Sequence, residues 1–271
     1  DWCISRQRKW GVPINLLINK KTGEPHSNSS IIFSRVCKLV EEHGIEKWFE
    51  IDIGDLIDNP DDYEKVQDTL DVWFDSGSSH AAVLETSANL RFPADLYLEG
   101  SDQHRGWFQS SLLTSIAVND SVPYKAAMTH GFTVDGRGNK MSKSKGNVIA
   151  PQKIINRLGS DILRLWVAST DSSSEMTVSE EILNRTSDKY RKIRNTIRFL
   201  LSNIDDYDPE TFSIKDTSIE LDKWIVLKAI NLQKEILDHY NKFNFHIISQ
   251  LIHGFCVNEL GSFYLDVIKD R

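Results

Sequence analysis

Hydrophobic and polar positions divide the chain into four zones. Over 1–20 the apolar residues come in short bursts, which predicts extended chain with a turn at Trp10-Gly11-Val12-Pro13-Ile14 and a short apolar strand from Asn15 to Ile18. Residues 21–93 are irregular, acidic and rich in turn formers. A helical period shows there only from Ile31 to Glu42, and Asp58-Asn59-Pro60-Asp61-Asp62 breaks the chain. This zone has the character of an insertion and not of a repeat. Over 94–130 the pattern is strand, polar turn, helix, strand: Leu96-Tyr97-Leu98-Glu99, then Gly100-Ser101-Asp102, then a helix from about Asp102 to Val118, then Ala126-Ala127-Met128-Thr129. Trp107, Leu112, Leu113 and Ile116 are its expected apolar positions, and Ser101 its expected cap. Such a βαβ unit implies a parallel sheet with ligands at the strand C-terminal ends.

The fourth zone begins with a Gly/Lys/Ser-rich stretch and a helix from about Ser160 to Val167. From Ser179 onward the pattern is helical. Ser179 is a good N-cap, with Glu180 and Glu181 in the first turn. Ile182, Thr186, Tyr190, Ile193, Ile197, Leu200 and Ile204 then recur at helical spacing. Two further amphipathic helices are expected near 219–240 and 244–268, and the short loops predict an antiparallel bundle. The expected fold class is therefore α/β plus all-α.

Composition narrows this picture. With 271 residues there is room for one large domain or two ordinary ones. No apolar run approaches the roughly 18 residues of a membrane span. The chain opens on Asp1 without a charged-then-apolar leader, so it is expected to be a piece of something longer and to carry no secretory signal. Cys3, Cys37 and Cys256 are too scattered for a disulfide framework, which points to a reducing cytosol. The eight His form no tight cluster with Cys, and no zinc is expected. The net charge of −7 hides an asymmetry: 13 acidic residues against two lysines over 41–75, but 13 Lys/Arg against seven Asp/Glu over 131–200. That basic stretch suits either a solvated helix face or a polyanion.

The chemistry concentrates in two blocks. In Gly136-Arg137-Gly138-Asn139-Lys140-Met141-Ser142-Lys143-Ser144-Lys145-Gly146-Asn147, glycines allow the backbone to close over a ligand. Lys140, Lys143 and Lys145 supply point charges for phosphates, and Ser142 and Ser144 add donors. Such a loop can stabilise charge building on a triphosphate; a basic surface turn has the same composition. In Tyr97-Leu98-Glu99-Gly100-Ser101-Asp102-Gln103-His104-Arg105-Gly106-Trp107-Phe108, a carboxylate ends a strand beside backbone donors. This suits ribose hydroxyls and a substrate ammonium, or an ordinary βα turn.

Lys140-Met141-Ser142-Lys143-Ser144 resembles the KMSKS signature of class I aminoacyl-tRNA synthetases, and the second block resembles the isoleucyl branch of that family. Asp1 to Arg8, Asp68 to Ser78, His130 to Gly136 and Asp161 to Ser169 extend the likeness over nearly the whole chain. The resemblance implies the second half of a Rossmann-like catalytic domain over 1–178, with a connective insertion at 15–93 and the KMSKS loop and stem-contact region at 131–178. A helical anticodon-binding domain, incomplete, would follow over 179–271. It implies Glu99 as the glutamate contacting the aminoacyl-adenylate and Lys143, with Lys140, as the catalytic lysines of an ATP loop that includes Met141, Ser142 and Ser144. Gly100, Asp102 and Gln103 resemble adenylate-site residues. Trp107 either lines the amino-acid pocket or packs its helix, and His130 either touches ATP or is structural. Arg191, Arg194 and Arg198 are the implied tRNA contacts, among Arg185, Lys189 and Lys192, or else the charged face of a solvated helix. ATP with Mg²⁺, L-isoleucine and tRNA(Ile) are the implied substrates of a cytoplasmic monomer. The family's His-x-Gly-His signature and its editing domain are absent, so the fragment alone is expected to be inactive. A valyl or leucyl type, or a non-catalytic synthetase-derived tRNA-binding module, are the alternatives.

Overall fold

The computed structural model describes residues 2–204, 208, 210 and 219–270. Arg271, the last residue expected in the bundle, lies outside them. The chain forms two compact units, Asp1–Met128 and Thr129–Arg271.

The first unit runs β1 (Ser5–Arg6), β2 (Leu17–Asn19), α1 (Ser29–His43), α2 (Lys47–Glu50), β3 (Tyr63–Lys65), β4 (Thr69–Leu70), α3 (Val72–Gly77) and a π-helical turn at His80–Leu84. Then come β5 (Tyr97–Gly100), a 3-10 turn at Ser101–Arg105, α4 (Trp107–Asn119) and the start of β6 (Ala127–His130). The expected strand near Asn15 is displaced to Leu17–Asn19, where it pairs antiparallel with β3. The helix expected from Ile31 forms as α1, ending at Gly44, whose φ of 88° suits a residue without a side chain. Ile32 and Val36, one turn apart, bury against Leu17, Trp48 and Leu56 as the core of the acidic zone. Lys65 locks this core. Its ammonium donates to the Trp48, Phe49 and Ile51 carbonyls at 2.9, 3.1 and 2.6 Å, capping the end of α2.

Asp71 is the hub of the chain's opening stretch. It is buried, and its carboxylate accepts from the Trp73 N–H at 3.0 Å, capping α3. It also accepts from the Trp2 indole at 3.1 Å and pairs with Arg6. Burial opposes its ionisation. The Trp73 and Trp2 donors and the Arg6 and Arg8 charges outweigh that burial and hold the carboxyl below its ordinary range.

Helix α4 departs from expectation at both its start and its buried face. One continuous helix from Asp102 was expected. Instead the 3-10 turn stops at Gly106 and α4 begins at Trp107. The expected core positions Leu113 and Ile116 are exposed, while Phe108, Ser110, Ser111 and Ser115 are buried. The reason is close approach. A Cβ on Gly77 would lie 2.9 Å from the Ser110 backbone, so only small side chains fit between α3 and α4. The serines stay satisfied: Ser111 Oγ lies 3.0 Å from the Tyr97 hydroxyl, and Ser115 donates to the Ser121 carbonyl at 2.8 Å.

The second unit continues with β7 (Thr133–Val134), α5 (Pro151–Leu158), α6 (Ser160–Ser169), β8 (Met176–Thr177), α7 (Glu180–Ser202), α8 (Glu220–Asn241) and α9 (Phe245–Gly254). A π-helical run, Phe255–Tyr264, and α10 (Leu265–Val267) complete it. Strands β7 and β8 pair in parallel. Met176 of β8 and Val178 just after it join Ile154, Trp166 and Leu183 in a core fed by α5, α6 and α7. The predicted cap forms: Ser179 accepts from the Ile182 N–H at 3.2 Å. The single helix expected over 244–268 is interrupted by the π-helical run, whose register admits one extra residue per turn. Among the described residues no helix is long and apolar enough to cross a membrane.

Replacing Asp71 by alanine removes the α3 cap and the anchor of the opening stretch together. We expect a loss of about 2–4 kcal/mol in the first unit's stability, read by urea unfolding with tryptophan fluorescence. Because the folded carboxyl is depressed, the parent's advantage is full above the ordinary carboxylate range. It is lost as pH falls below that range toward the folded value.

Candidate functional site

The Tyr97–Phe108 block folds as strand end, 3-10 turn and helix start. Glu99 is exposed at the end of β5, and its Oε2 accepts from the Gly100 N–H at 3.3 Å. Asp102 is exposed in the turn, and the Gln103 amide donates to it at 3.4 Å. Ser101 is not the cap it was expected to be: its side chain makes no capping bond. Gln103 does that work, accepting from the Trp107 N–H at 2.9 Å across the break. A Cβ on Gly106 would lie 2.7 Å from that same Gln103 oxygen and 3.2 Å from the Trp73 ring, so a side chain there would displace the cap.

Trp107 is held from two sides. Its ring stacks on Tyr97 at 4.3 Å between centroids, and its indole N–H donates to the Ser76 carbonyl and Ser79 hydroxyl at 3.0 and 3.2 Å. These contacts fix the position of the ring for either of the two roles considered for it. The unit thus brings Glu99, Gly100, Asp102, Gln103 and Trp107 together within one strand–turn–helix.

The second unit holds His130 and the basic loop. His130 is the last residue of β6, with its Nδ1 2.9 Å from the Gly131 carbonyl oxygen. Gly131 sits against backbone: a Cβ there would lie 2.2 Å from the Ser174 carbonyl oxygen. Its N–H donates to the Ser172 carbonyl at 3.0 Å. Beyond β7 the chain forms a small hairpin. Asp135 and Asn139 bond through their backbones at 2.9 Å, and Val134 bridges Lys140.

The five signature residues have distinct surroundings. The Lys140 ammonium sits 3.5 Å from the Phe132 ring centroid, a cation–π contact. Met141 packs on the second unit's core. Ser142 caps a 3-10 turn at Lys143–Lys145, accepting from the Lys145 N–H at 3.3 Å, and its hydroxyl lies 3.2 Å from that of Ser144. Gly146 ends the turn at φ 65°. Lys143 is exposed, and its ammonium has no ion pair among the described residues. A cation that is unpaired, exposed and carried on a capped turn suits an incoming phosphate.

Sequence reasoning assigned no role to Asp135 or Asn147, yet they carry the loop's densest bonding. The Asn147 amide first, then the backbone N–H groups of Asn139 and Arg137, outweigh desolvation and bring the Asp135 carboxyl down to about 2. The available signal was an aspartate directly after an apolar strand and before Gly-x-Gly-Asn, a turn in which a carboxylate takes local backbone donors.

Helix α7 carries the arginines. Arg191, Arg194 and Arg198 are exposed and three or four residues apart, so they share one face. Arg191 pairs with Asp188 at 3.2 Å, as on a solvated helix. The described residues include no group of three or more His, Cys, Asp or Glu placed to hold a metal ion.

Residues 1–179 match the family model "tRNA synthetases class I (I, L, M and V)". The chain belongs to the class I tRNA synthetases. A second model, the anticodon-binding domain of tRNA ligase, matches residues 222–271 of this synthetase chain. Proteins called isoleucine--tRNA ligase from Saccharophagus degradans and Alkalilimnicola ehrlichii are 58% and 57% identical over the whole chain, which spans 29% of each. Among solved structures, the LeuRS-tRNA-LeuAMS complex from Agrobacterium radiobacter K84 superposes over 96% of this chain and 37% of its own, with TM-score 0.74 at 19% identity. Methionyl-tRNA synthetase of Mycobacterium tuberculosis in complex with methionyl-adenylate does so over 72% and 40%, with TM-score 0.57 at 22% identity. These likenesses extend the synthetase fold to both units.

The Gly131 contact predicts a sharp contrast within the synthetase loop region. Gly131→Ala drives a methyl into the Ser174 backbone and should cost about 3 kcal/mol or more. Gly138→Ala meets no atom and bears only the strain of its φ of 79°, about 1–2 kcal/mol. Thermal unfolding of the two variants side by side reads the difference.

Proposed function

We propose that this chain is part of an isoleucine--tRNA ligase. The observation that carries this reading is 56–58% identity over its full length to proteins of that name. In this reading 1–178 is the second half of a Rossmann-like catalytic domain, with the connective insertion at 15–93 and the stem-contact region at 131–178. Residues 179–271 begin an antiparallel helical bundle that binds the anticodon stem. The exposure of Leu113, Ile116 and Val118 on α4 fits an apolar face covered by the first half of the domain.

The complete protein activates L-isoleucine with ATP. The amino-acid carboxylate attacks the α-phosphorus, the bond to the β-phosphate oxygen breaks, and pyrophosphate leaves. A terminal hydroxyl of tRNA(Ile) then attacks the carbonyl of isoleucyl-adenylate and releases AMP. The protein forms no covalent bond; it positions the reactants and stabilises charge. Lys143, and Lys140 once released from Phe132, neutralise charge on the triphosphate, with Ser142 and Ser144 as donors and Met141 anchoring the loop. Glu99 holds the substrate ammonium or ribose beside Gly100, Asp102 and Gln103. His130 stands at the strand end before the loop. Mg²⁺ arrives with ATP as part of the substrate, because the loop offers cations and hydroxyls while the one carboxylate at its base, Asp135, already binds protein donors. Arg191, Arg194 and Arg198 contact tRNA phosphates, a binding that weakens with salt. The three free thiols fit a cytoplasmic protein, which acts as a monomer.

Lys143→Ala in the complete protein tests this. Isoleucine-dependent ATP–pyrophosphate exchange should fall about 100-fold or more, while isoleucine affinity changes less than about threefold. The 271-residue chain alone should show no exchange. Parental exchange by the variant removes Lys143 from the role.

A further inference from the structure

The basic loop is tied to the strand before it by two side chains whose donors and acceptors run in one direction. Asp135 directly follows Val134, which is buried and whose carbonyl accepts from the Val178 N–H at 2.9 Å. Asp135 Oδ1 accepts from the Arg137 and Asn139 N–H groups at 2.9 and 3.0 Å. Its Oδ2 accepts from Asn147 Nδ2 at 2.9 Å. Asn147 Oδ1 then accepts from the Ser142 N–H at 3.0 Å. Ser142 in turn caps the turn that carries Lys143. The path therefore leads from a buried strand through Asp135, Asn147 and Ser142 to the exposed lysine.

We propose that Asp135 and Asn147 are a positioning pair that presets the Lys143–Lys145 turn for the triphosphate, so that the loop meets the nucleotide already formed. The proposal rests on the reading of this loop as an ATP-phosphate clamp. Preforming a loop removes its ordering cost from binding and reaction, and a misplacement of even about 1 Å is expensive in rate. Neither residue touches the reacting atoms; both act through Ser142 and the turn.

The polarity of the path supplies the test. In Asp135→Asn, the new amide faces the Asn147 amide donor to donor. Turning Asn147 over moves the same conflict to the Ser142 N–H. In Asn147→Asp, two carboxylates face each other. The reciprocal double substitution D135N/N147D restores the order along this path and gives up only two longer bonds, from Asn147 Nδ2 to the Lys140 carbonyl at 3.4 Å and from the Asn139 amide to Asp135 Oδ2 at 3.5 Å. The amide introduced at position 135 keeps its carbonyl on the Arg137 and Asn139 N–H groups and donates to the carboxylate introduced at position 147. The other oxygen of that carboxylate accepts from the Ser142 N–H. Net charge is conserved as well.

Amide exchange over residues 136–147 is measured in the complete protein without nucleotide, beside isoleucine-dependent pyrophosphate exchange. Each single variant should speed amide exchange about tenfold, and the reciprocal pair should return within about threefold of the parent. The kcat for pyrophosphate exchange should fall about tenfold in the singles with isoleucine KM unchanged, and recover in the pair. Parental amide exchange in the singles, or a pair as loose as the singles, overturns the proposal. So does parental kcat in the singles while Lys143→Ala is inactive, an outcome that leaves the loop's own role intact. If Lys143→Ala keeps its activity, the clamp reading itself falls, and the positioning role falls with it.

Discussion

The backbone at Gly131 lies so close to that of Ser174 that no side chain fits between them, and the placement of the basic loop depends on this contact. It lets β7 run beside β8 in parallel register, with Thr133 opposite Met176 and Val134 opposite Thr177. That register buries Met176 and Val178 against Ile154, Trp166 and Leu183, which gives the two short strands a core they could not form alone. The loop then leaves from a fixed edge. Beyond Asp135 it is held by bonds from Asp135 and Asn147, and glycines at 138 and 146 take the left-handed conformations its turns require.

The first unit solves a similar problem with a buried carboxylate. Asp71 gathers the α3 N-terminus, the Trp2 indole and the Arg6 guanidinium at one point. A stretch with little regular structure of its own is thereby fixed to the helix that carries Gly77. Gly77 in turn admits α4 at backbone distance. The strand–turn–helix with Glu99 and Gln103 is built on that helix, so a cap at position 71 reaches the candidate site through α3 and α4.

Much of this was legible in the sequence where chemistry alone decides it. Helix α1 follows from the spacing of its apolar residues, and the Ser179 cap from a serine ahead of two glutamates. The KMSKS loop and the β5–α4 block stand out by composition. What escaped was decided by close contact. The buried face of α4 is made of serines because Gly77 brings two backbones together, so periodicity pointed to the wrong face. The break at Gly106 depends on Gln103 reaching forward to Trp107, a long-side-chain cap that no serine rule anticipates. The π-helical run Phe255–Tyr264 inserts a register shift into a continuous apolar pattern, and α5 begins at Pro151 in a stretch to which the sequence pattern assigned no element. For the site residues, sequence identified the block and loop as candidates but left open which side chains hold the scaffold. Trp107, Asp135 and Asn147 proved to be heavily bonded, while Glu99 and Lys143 stand exposed.

Membership of the class I synthetases leaves the choice of amino acid as the central claim, because that family model spans four amino-acid types. A hydrophobic pocket separates side chains differing by one methylene by only on the order of 10- to 200-fold, isoleucyl enzymes being a standard case from which that range comes. The direct measurement is ATP–pyrophosphate exchange by the complete protein with isoleucine, valine, leucine and methionine in parallel. Isoleucine should give the highest kcat/KM, valine a value about 100-fold lower, and leucine and methionine less again. Exchange led by leucine, methionine or valine, or no exchange with any of the four, would contradict the account.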